Sequence, residues 1–302
     1  MEFERRFAST EACRAYLVSL RWPEGVRCLR CSSPTVWPTA RGLYHCPFCD
    51  YQTSVLAGTI FQDTKADLRL WFRAMWYVTN QKAGISALGL QRALGRGSYQ
   101  TAWRWLQKLR AAMVRPGRER LTGEVEVDEV YVGGVDSDRR GGRQRTPTTA
   151  LVAVAAEVRD RGIGRIRLQR LPAASGTSLV GFVQEVVEPG AVVRTDGWTA
   201  SPGLARAGSP HRPRVISGSG QTASTLLPRV HRVAALLKRW LLGTHQGRVS
   251  HTHLDGYLDE FTFRFNRRTS RWRGKLFYRL VQQAVQVPPI QQRTARRATI
   301  PA

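Results

Sequence analysis

Lysine is almost missing from this chain. Five lysines (Lys65, Lys82, Lys108, Lys238 and Lys275) stand against 42 arginines, and carboxylates are scarce too, with 22 Asp and Glu in 302 residues. The formal net charge is +25. A charge that large points to a polyanionic partner, nucleic acid first and an acidic membrane surface second. GC-rich codons would also favour Arg over Lys, but they do not explain the shortage of acid. Arginine's planar fork suits bidentate phosphate contact.

Long apolar runs are absent as well. None approaches the roughly 20 residues of a membrane span. The first residues, MEFERRFASTEACRAYL, lack the apolar stretch of a secretory signal. A cytoplasmic protein with no membrane partner is expected. Only five cysteines occur, four of them in close pairs and Cys13 alone, so no disulfide framework is expected. No internal repeat is visible.

The paired cysteines are CLRC (Cys28, Cys31) and CPFC (Cys46, Cys49), with 14 residues between the pairs. Two C-x2-C knuckles at about this spacing suit tetrahedral Zn²⁺, and a small loop-rich region needs such a staple. Four thiolates close the site, so it is read as structural and His45 has no ligand role.

Residues 1–60 are therefore a zinc-ribbon region. Residues 61–118 read as helical, because ADLRLWFRAMWYVTNQ and YQTAWRWLQKLRAAMV repeat apolar residues every three to four positions. GISALGLQRALGRGS between them completes a helix-turn-helix-like pattern whose second helix would present Arg104, Lys108 and Arg110 to DNA. An ordinary helical hairpin with a solvated basic face fits the same pattern. From residue 119 to 270 the period changes. EVEVDEVYV, TALVAVAAEV and IGRIRLQRL read as strands, GTSLVGFVQEVVEPG as a helix, AVVRTDGW as a strand, and segments near 225–242 and 252–268 as helices. That order is α/β and matches an RNase H-like domain. Residues 271–302 form a basic C-terminal segment.

Acid in so basic a protein is informative. Glu124, Glu126, Asp128 and Glu129 crowd into one strand, with Glu126 and Asp128 on one face. Asp196 is the single carboxylate between Glu188 and Asp255, and only Asp255, Asp259 and Glu260 follow it. A solvated acidic face would explain the strand alone. Acids from two strands and a helix, recurring in order, are instead what hard divalent cations require. Two such ions can run an in-line phosphoryl displacement. Spacing leaves the helix member open between Asp259 and Glu260.

The zinc ribbon, the helical segment, VEVDEVYVGG, RTDGW, HRVAALLKRWLLGTHQG and YLDEFTFRFNRR together resemble bacterial insertion-sequence transposases of the zinc-ribbon DDE type, related to Merlin elements. The resemblance covers roughly residues 20–280. It implies an RNase H-like domain using Mg²⁺ or Mn²⁺, binding to terminal inverted repeats, strand cleavage, transfer of 3′-hydroxyls to target DNA, and a homodimer or higher oligomer on double-stranded DNA. It assigns Asp128, Asp196 and Glu260 as catalytic acids. It places His231, Lys238, His245 and Arg267 against DNA, with Glu126 and Glu129 in supporting roles. Some relatives carry Asn or His as the third member, which keeps Asn266 a rival to Glu260. Two other readings stay open: a non-catalytic DNA-binding regulator, and a structure-selective nuclease of the same fold.

Overall fold

The computed structural model describes residues 2–95, 97–115, 117–133, 149–160, 162–197, 203–206, 208–214, 222–247 and 249–289. Residues 134–148, between the first two strands read from the sequence, and 290–302 lie outside them. Two compact units divide the chain: residues 1–115 with 270–302, and residues 116–269.

The first unit opens with α1 (Glu2–Arg6) and α2 (Thr10–Arg21) and continues into a small antiparallel sheet of β1 (Trp37–Pro38), β2 (Tyr44–His45) and β3 (Gln52–Thr53). Three helices follow: α3 (Leu68–Asn80), α4 (Ala87–Leu94) and α5 (Tyr99–Ala111). Each starts where a short polar side chain can take an orphan backbone N–H. Asp67 accepts from Arg69 N at 2.9 Å, Ser86 from Gly89 N at 3.0 Å and Ser98 from Thr101 N at 3.2 Å. Gly95, at φ 62, ends α4 in the left-handed region and turns the chain into α5. Trp71, Phe72, Met75 and Val78 form the buried stripe of α3. The C-terminal helix (Arg273–Ala284) packs on α2 and α3, and its Phe277 joins Phe3, Phe7 and Phe72 in an aromatic cluster with centroids 4.8–5.7 Å apart.

The second unit is a five-stranded mixed sheet in the order β6-β5-β4-β7-β8: β4 is Glu124–Val132, β5 Ala150–Arg159, β6 Gly162–Leu171, β7 Val192–Thr195 and β8 His211–Pro213. The β4–β5 and β5–β6 pairs are antiparallel, whereas β7 and β8 continue parallel to β4. The last strand is short and ends at Pro213, in a stretch with no strand-like alternation. Helices cover both faces, so β5 carries the continuous apolar run of a central strand. Val125, Val127 and Val193 face α6 (Gly176–Val186). On the opposite face Val132, Val152, Val154 and Ile166 pack under α9 (Pro228–His245) and α10 (Leu254–Phe265). Short helices α7 (Gly203–Arg206) and α8 (Ala223–Leu226) complete the unit, so the helix above is α11.

A candidate acid site and a thiolate centre

Alternation along β4 sends Glu124, Glu126, Asp128 and Val130 to the face beneath α9. These acids divide sharply in role. Glu126 is fully buried and its carboxylate accepts from the backbone N–H groups of Arg229 (2.7 Å) and Val230 (3.1 Å) and from the Arg229 guanidinium (3.0 Å). The residue preceding α9, Leu227, supplies no side-chain cap. Glu126 therefore caps α9 from the sheet, where a negative charge also suits the helix dipole. The supporting role expected of it is the one it has.

Asp128, one pair further along the strand, is partly exposed. One carboxylate oxygen accepts from Glu129 N at 2.8 Å and the other lies 3.5 Å from His231 Nε2. His231 stands there because it is in the first turn of the helix that Glu126 anchors. On the other side of β4, the parallel register pairs Glu124 with Val192, Val125 with Val193 and Glu126 with Arg194. Arg194 forms an ion pair with Glu124, so the even-numbered residues of the two strands share a face. Continued by two residues, that register brings Asp196, just past the end of β7, level with Asp128.

The helix chosen for the third acid lies elsewhere. Asn266, following α10, donates its amide to Ile166 O at 3.1 Å and accepts from Ile166 N at 2.7 Å, completing the edge of β6 as a neighbouring strand would. Asp255 at the other end of α10 approaches Arg170, also on β6, at 3.5 Å. α10 thus runs along β6, and β5 separates that strand from β4. Glu260 is buried, at 1% exposure, in this helix. Asp259 is partly buried on another flank, and burial raises its pKa to about 7 against the opposing pull of Arg118. Asn266, its amide engaged with the β6 backbone, is set aside as a third member.

Of the residues expected at DNA, His231, Lys238 and His245 fall at seven-residue intervals on one stripe of α9. Lys238 is exposed, whereas the His245 ring sits between Trp240 and Tyr257, with centroids 4.8 and 4.6 Å away. Arg267 lies over the Phe263 ring at 4.0 Å and donates to Phe263 O at 3.1 Å. In α5, Arg104 is exposed and Lys108 is partly buried, its ammonium 5.9 Å from the Trp71 ring. Burial lowers the Lys108 pKa. Arg110, which periodicity placed beside them, is instead buried at 1% exposure.

The cysteines form a separate centre. Cys28, Cys31, Cys46 and Cys49 bring their Sγ atoms within 4.8 Å of one another, with Cys28–Cys49 and Cys31–Cys46 both at 3.5 Å. Thiolates 2.3 Å from a tetrahedral ion stand about 3.8 Å apart, so the quartet fits zinc. The two knuckles repeat the same backbone: Cys28 N donates to Ser33 O (2.9 Å) and Cys46 N to Tyr51 O (3.0 Å). Ser32 and Asp50, each one residue after the second cysteine, take positive φ. His45 faces Asp50 and Trp37 rather than the sulfurs. Among the described residues no other group of three Cys, His, Asp or Glu is this close, neither Asp128–Asp196–Glu260 nor Asp128–Asp196–His231. Ligands spread around two ions about 3.5–4 Å apart need not be. No helix among the described residues is long and apolar enough to cross a membrane.

Comparison with known proteins matches both regions of the chain. Residues 120–266 match an ISXO2-like transposase domain of the DDE type and residues 8–52 a transposase zinc-ribbon domain. A protein in the transposable element ISH50 of Halobacterium salinarum is 29% identical over 276 residues, covering 86% of this chain and 92% of its own length. That host is archaeal, so the similarity is not confined to bacterial elements. A chain of a simian T-cell lymphotropic virus intasome matches at 15% identity and a TM-score of 0.34, over 67% of this chain and 73% of its own; a score that low bears no weight. Both matched domains are those of one group, and the chain belongs to the IS1595-type insertion-sequence transposases, with a zinc ribbon followed by a DDE transposase domain.

Proposed function

We propose that the protein cuts DNA at the terminal inverted repeats of its own element and joins the freed 3′-hydroxyls to target DNA, with Asp128, Asp196 and His231 as the residues that would hold divalent metal ions. The observation that carries this reading is His231 Nε2 at 3.5 Å from Asp128, on the face and at the level that the β4–β7 register gives Asp196. Glu260 is withdrawn as the third member, because its helix follows β6 rather than β4. Lys238 takes over the phosphate-contacting place given to Arg267, since it is seven residues beyond His231 on the same stripe.

Two carboxylates and an imidazole suit Mg²⁺ or Mn²⁺, the nitrogen favouring the latter. Such ions, held by these side chains, would activate a water or 3′-hydroxyl and stabilise the leaving oxygen. Asp128 is held for this by Glu129 N, and His231 by a helix end locked to Glu126. The thiolate quartet keeps the N-terminal region folded. Arg104 and Lys108 of the α4–α5 pair grip end DNA, and pairing two ends calls for at least a dimer.

Full-length protein is incubated with DNA spanning the gene's flanks in Mg²⁺, Mn²⁺ or EDTA, beside Asp128→Asn. Metal-dependent nicks at matched inverted repeats, absent in the variant, are expected. Nicks without repeats would favour a structure-selective nuclease. Binding without cleavage in any metal would favour a regulator and sink the catalytic reading.

A further inference from the structure

His231 has a second neighbourhood. Besides meeting Asp128 it lines a groove of about 320 Å³ with Ser224, Pro228, Arg232, Ala235, Leu236 and Arg239, along α9 from its N-terminal end to Arg239. The helix explains the shape. Val230, Val233, Leu237 and Leu241 point into the core, and Trp240 closes the flank toward α10 by packing 5.7 Å from Phe261 and 6.4 Å from Tyr257. His231, Ala235 and Arg239, four residues apart, are left on the remaining side, and Ala235 in their middle keeps the floor low enough for a ligand to lie along the helix.

The charge of the groove is unbalanced. Several arginines of this unit are held by acid: Arg159 and Arg165 by Glu157, Arg170 by Asp255, Arg194 by Glu124, Arg229 by Glu126. Arg232 and Arg239 are exposed and, among the described residues, neither forms an ion pair. Seven residues separate them, roughly 10 Å of helix. A strand's phosphates advance about 3.4 Å along the duplex axis, so the two guanidiniums span about three nucleotides.

We infer that this groove seats the phosphodiester backbone of the strand being cut, with Arg232 and Arg239 on phosphates to one side of the scissile one and His231 marking where the groove meets the acids. The inference rests on the proposed cleavage reaction and adds to it two phosphate-binding residues and the path of the strand.

The test uses full-length protein and a duplex carrying one mapped element end. The slope of log affinity against log salt is measured for wild type, for Arg232→Ala/Arg239→Ala and for the double Lys variant. Each lost phosphate contact removes about 0.9 from the slope, so the Ala pair is expected to flatten it by about 1.8 and the Lys pair to restore most of that. A neutral methylphosphonate within three nucleotides of the cut should weaken wild type about tenfold or more and leave the Ala pair unaffected. An unchanged slope, or equal sensitivity of both proteins to every methylphosphonate, would overturn the groove. Cleavage by wild type is scored separately in the same samples. Its absence would count against the proposed reaction, whereas slope and methylphosphonate patterns decide the groove.

Discussion

Replacing Glu126 with alanine should cost far more than a surface acid would. The side chain is fully buried and satisfies two N–H groups of α9 and the Arg229 guanidinium at once. Truncation leaves a half-buried arginine without its partner, about 3–5 kcal/mol for a broken buried pair, and uncaps a helix that has no other side-chain cap, about 1 kcal/mol more. These overlap, so a total of about 4 kcal/mol is the working figure. With a slope near 2 kcal/mol/M the urea midpoint of this unit should fall by about 2 M. Glu126→Gln keeps the shape and some of the acceptors and should lose about half as much. Hydrogen exchange in peptides from β4 and the first turns of α9, followed through urea, separates this unit from the other. Cleavage should fall with it, because the first turn of α9 holds His231 against Asp128. A loss below about 1 kcal/mol for the alanine variant would refute the capping role.

Asn266→Ala should destabilise by about 1–3 kcal/mol by stripping Ile166 of two edge hydrogen bonds, and thermal unfolding checks it. Burial alone would raise the Glu157 pKa, but hydrogen bonds from Arg165 and Thr122 outweigh it and hold the group at about 2. Its contribution is thus present above about pH 4.5 and lost as pH falls toward 2, so Glu157→Gln should be destabilising at pH 7 and nearly neutral at pH 2. Asp259 has the opposite sign. Its pKa of about 7 lies above the unfolded value, so stability is lost as pH rises from about 4 to 7, and Asp259→Asn should stabilise at pH 8 but not at pH 3. A chelator should release one zinc per chain, measured colorimetrically, and expose the N-terminal 60 residues to protease while leaving the mixed sheet intact.

Much of this fold is written in local pattern. The thiolate quartet follows from spacing alone, and the change from three-to-four periodicity to alternation near residue 119 locates the sheet. Asp128 and Asp196 stand out because acid is rare. Glu260 stood out for the same reason, and the proposed site leaves it out. Counting carboxylates says nothing about which helix covers which strand. That α9 lies over β4 and β5 while α10 follows β6 is a tertiary fact, fixed by contacts such as Asn266 with Ile166, a hundred residues apart. His231 was singled out only as a DNA contact, through the resemblance, and not as a ligand. The one local hint toward a ligand role was its spacing of seven from Lys238 on the same helix. Arg110 shows the same limit, since periodicity marks a face but not its burial.

The most direct measurement sets His231→Ala beside Glu260→Gln in the metal-dependent cleavage of end DNA, with binding of the same DNA measured in parallel. His231→Ala should bind the ends and lose cleavage by about a thousandfold or more, as expected for a ligand of the reacting centre. Glu260→Gln, if it folds as wild type by thermal unfolding, should cut within about tenfold of wild type. Full cleavage by His231→Ala, or loss confined to a well-folded Glu260→Gln, would contradict the site built on β4, β7 and α9.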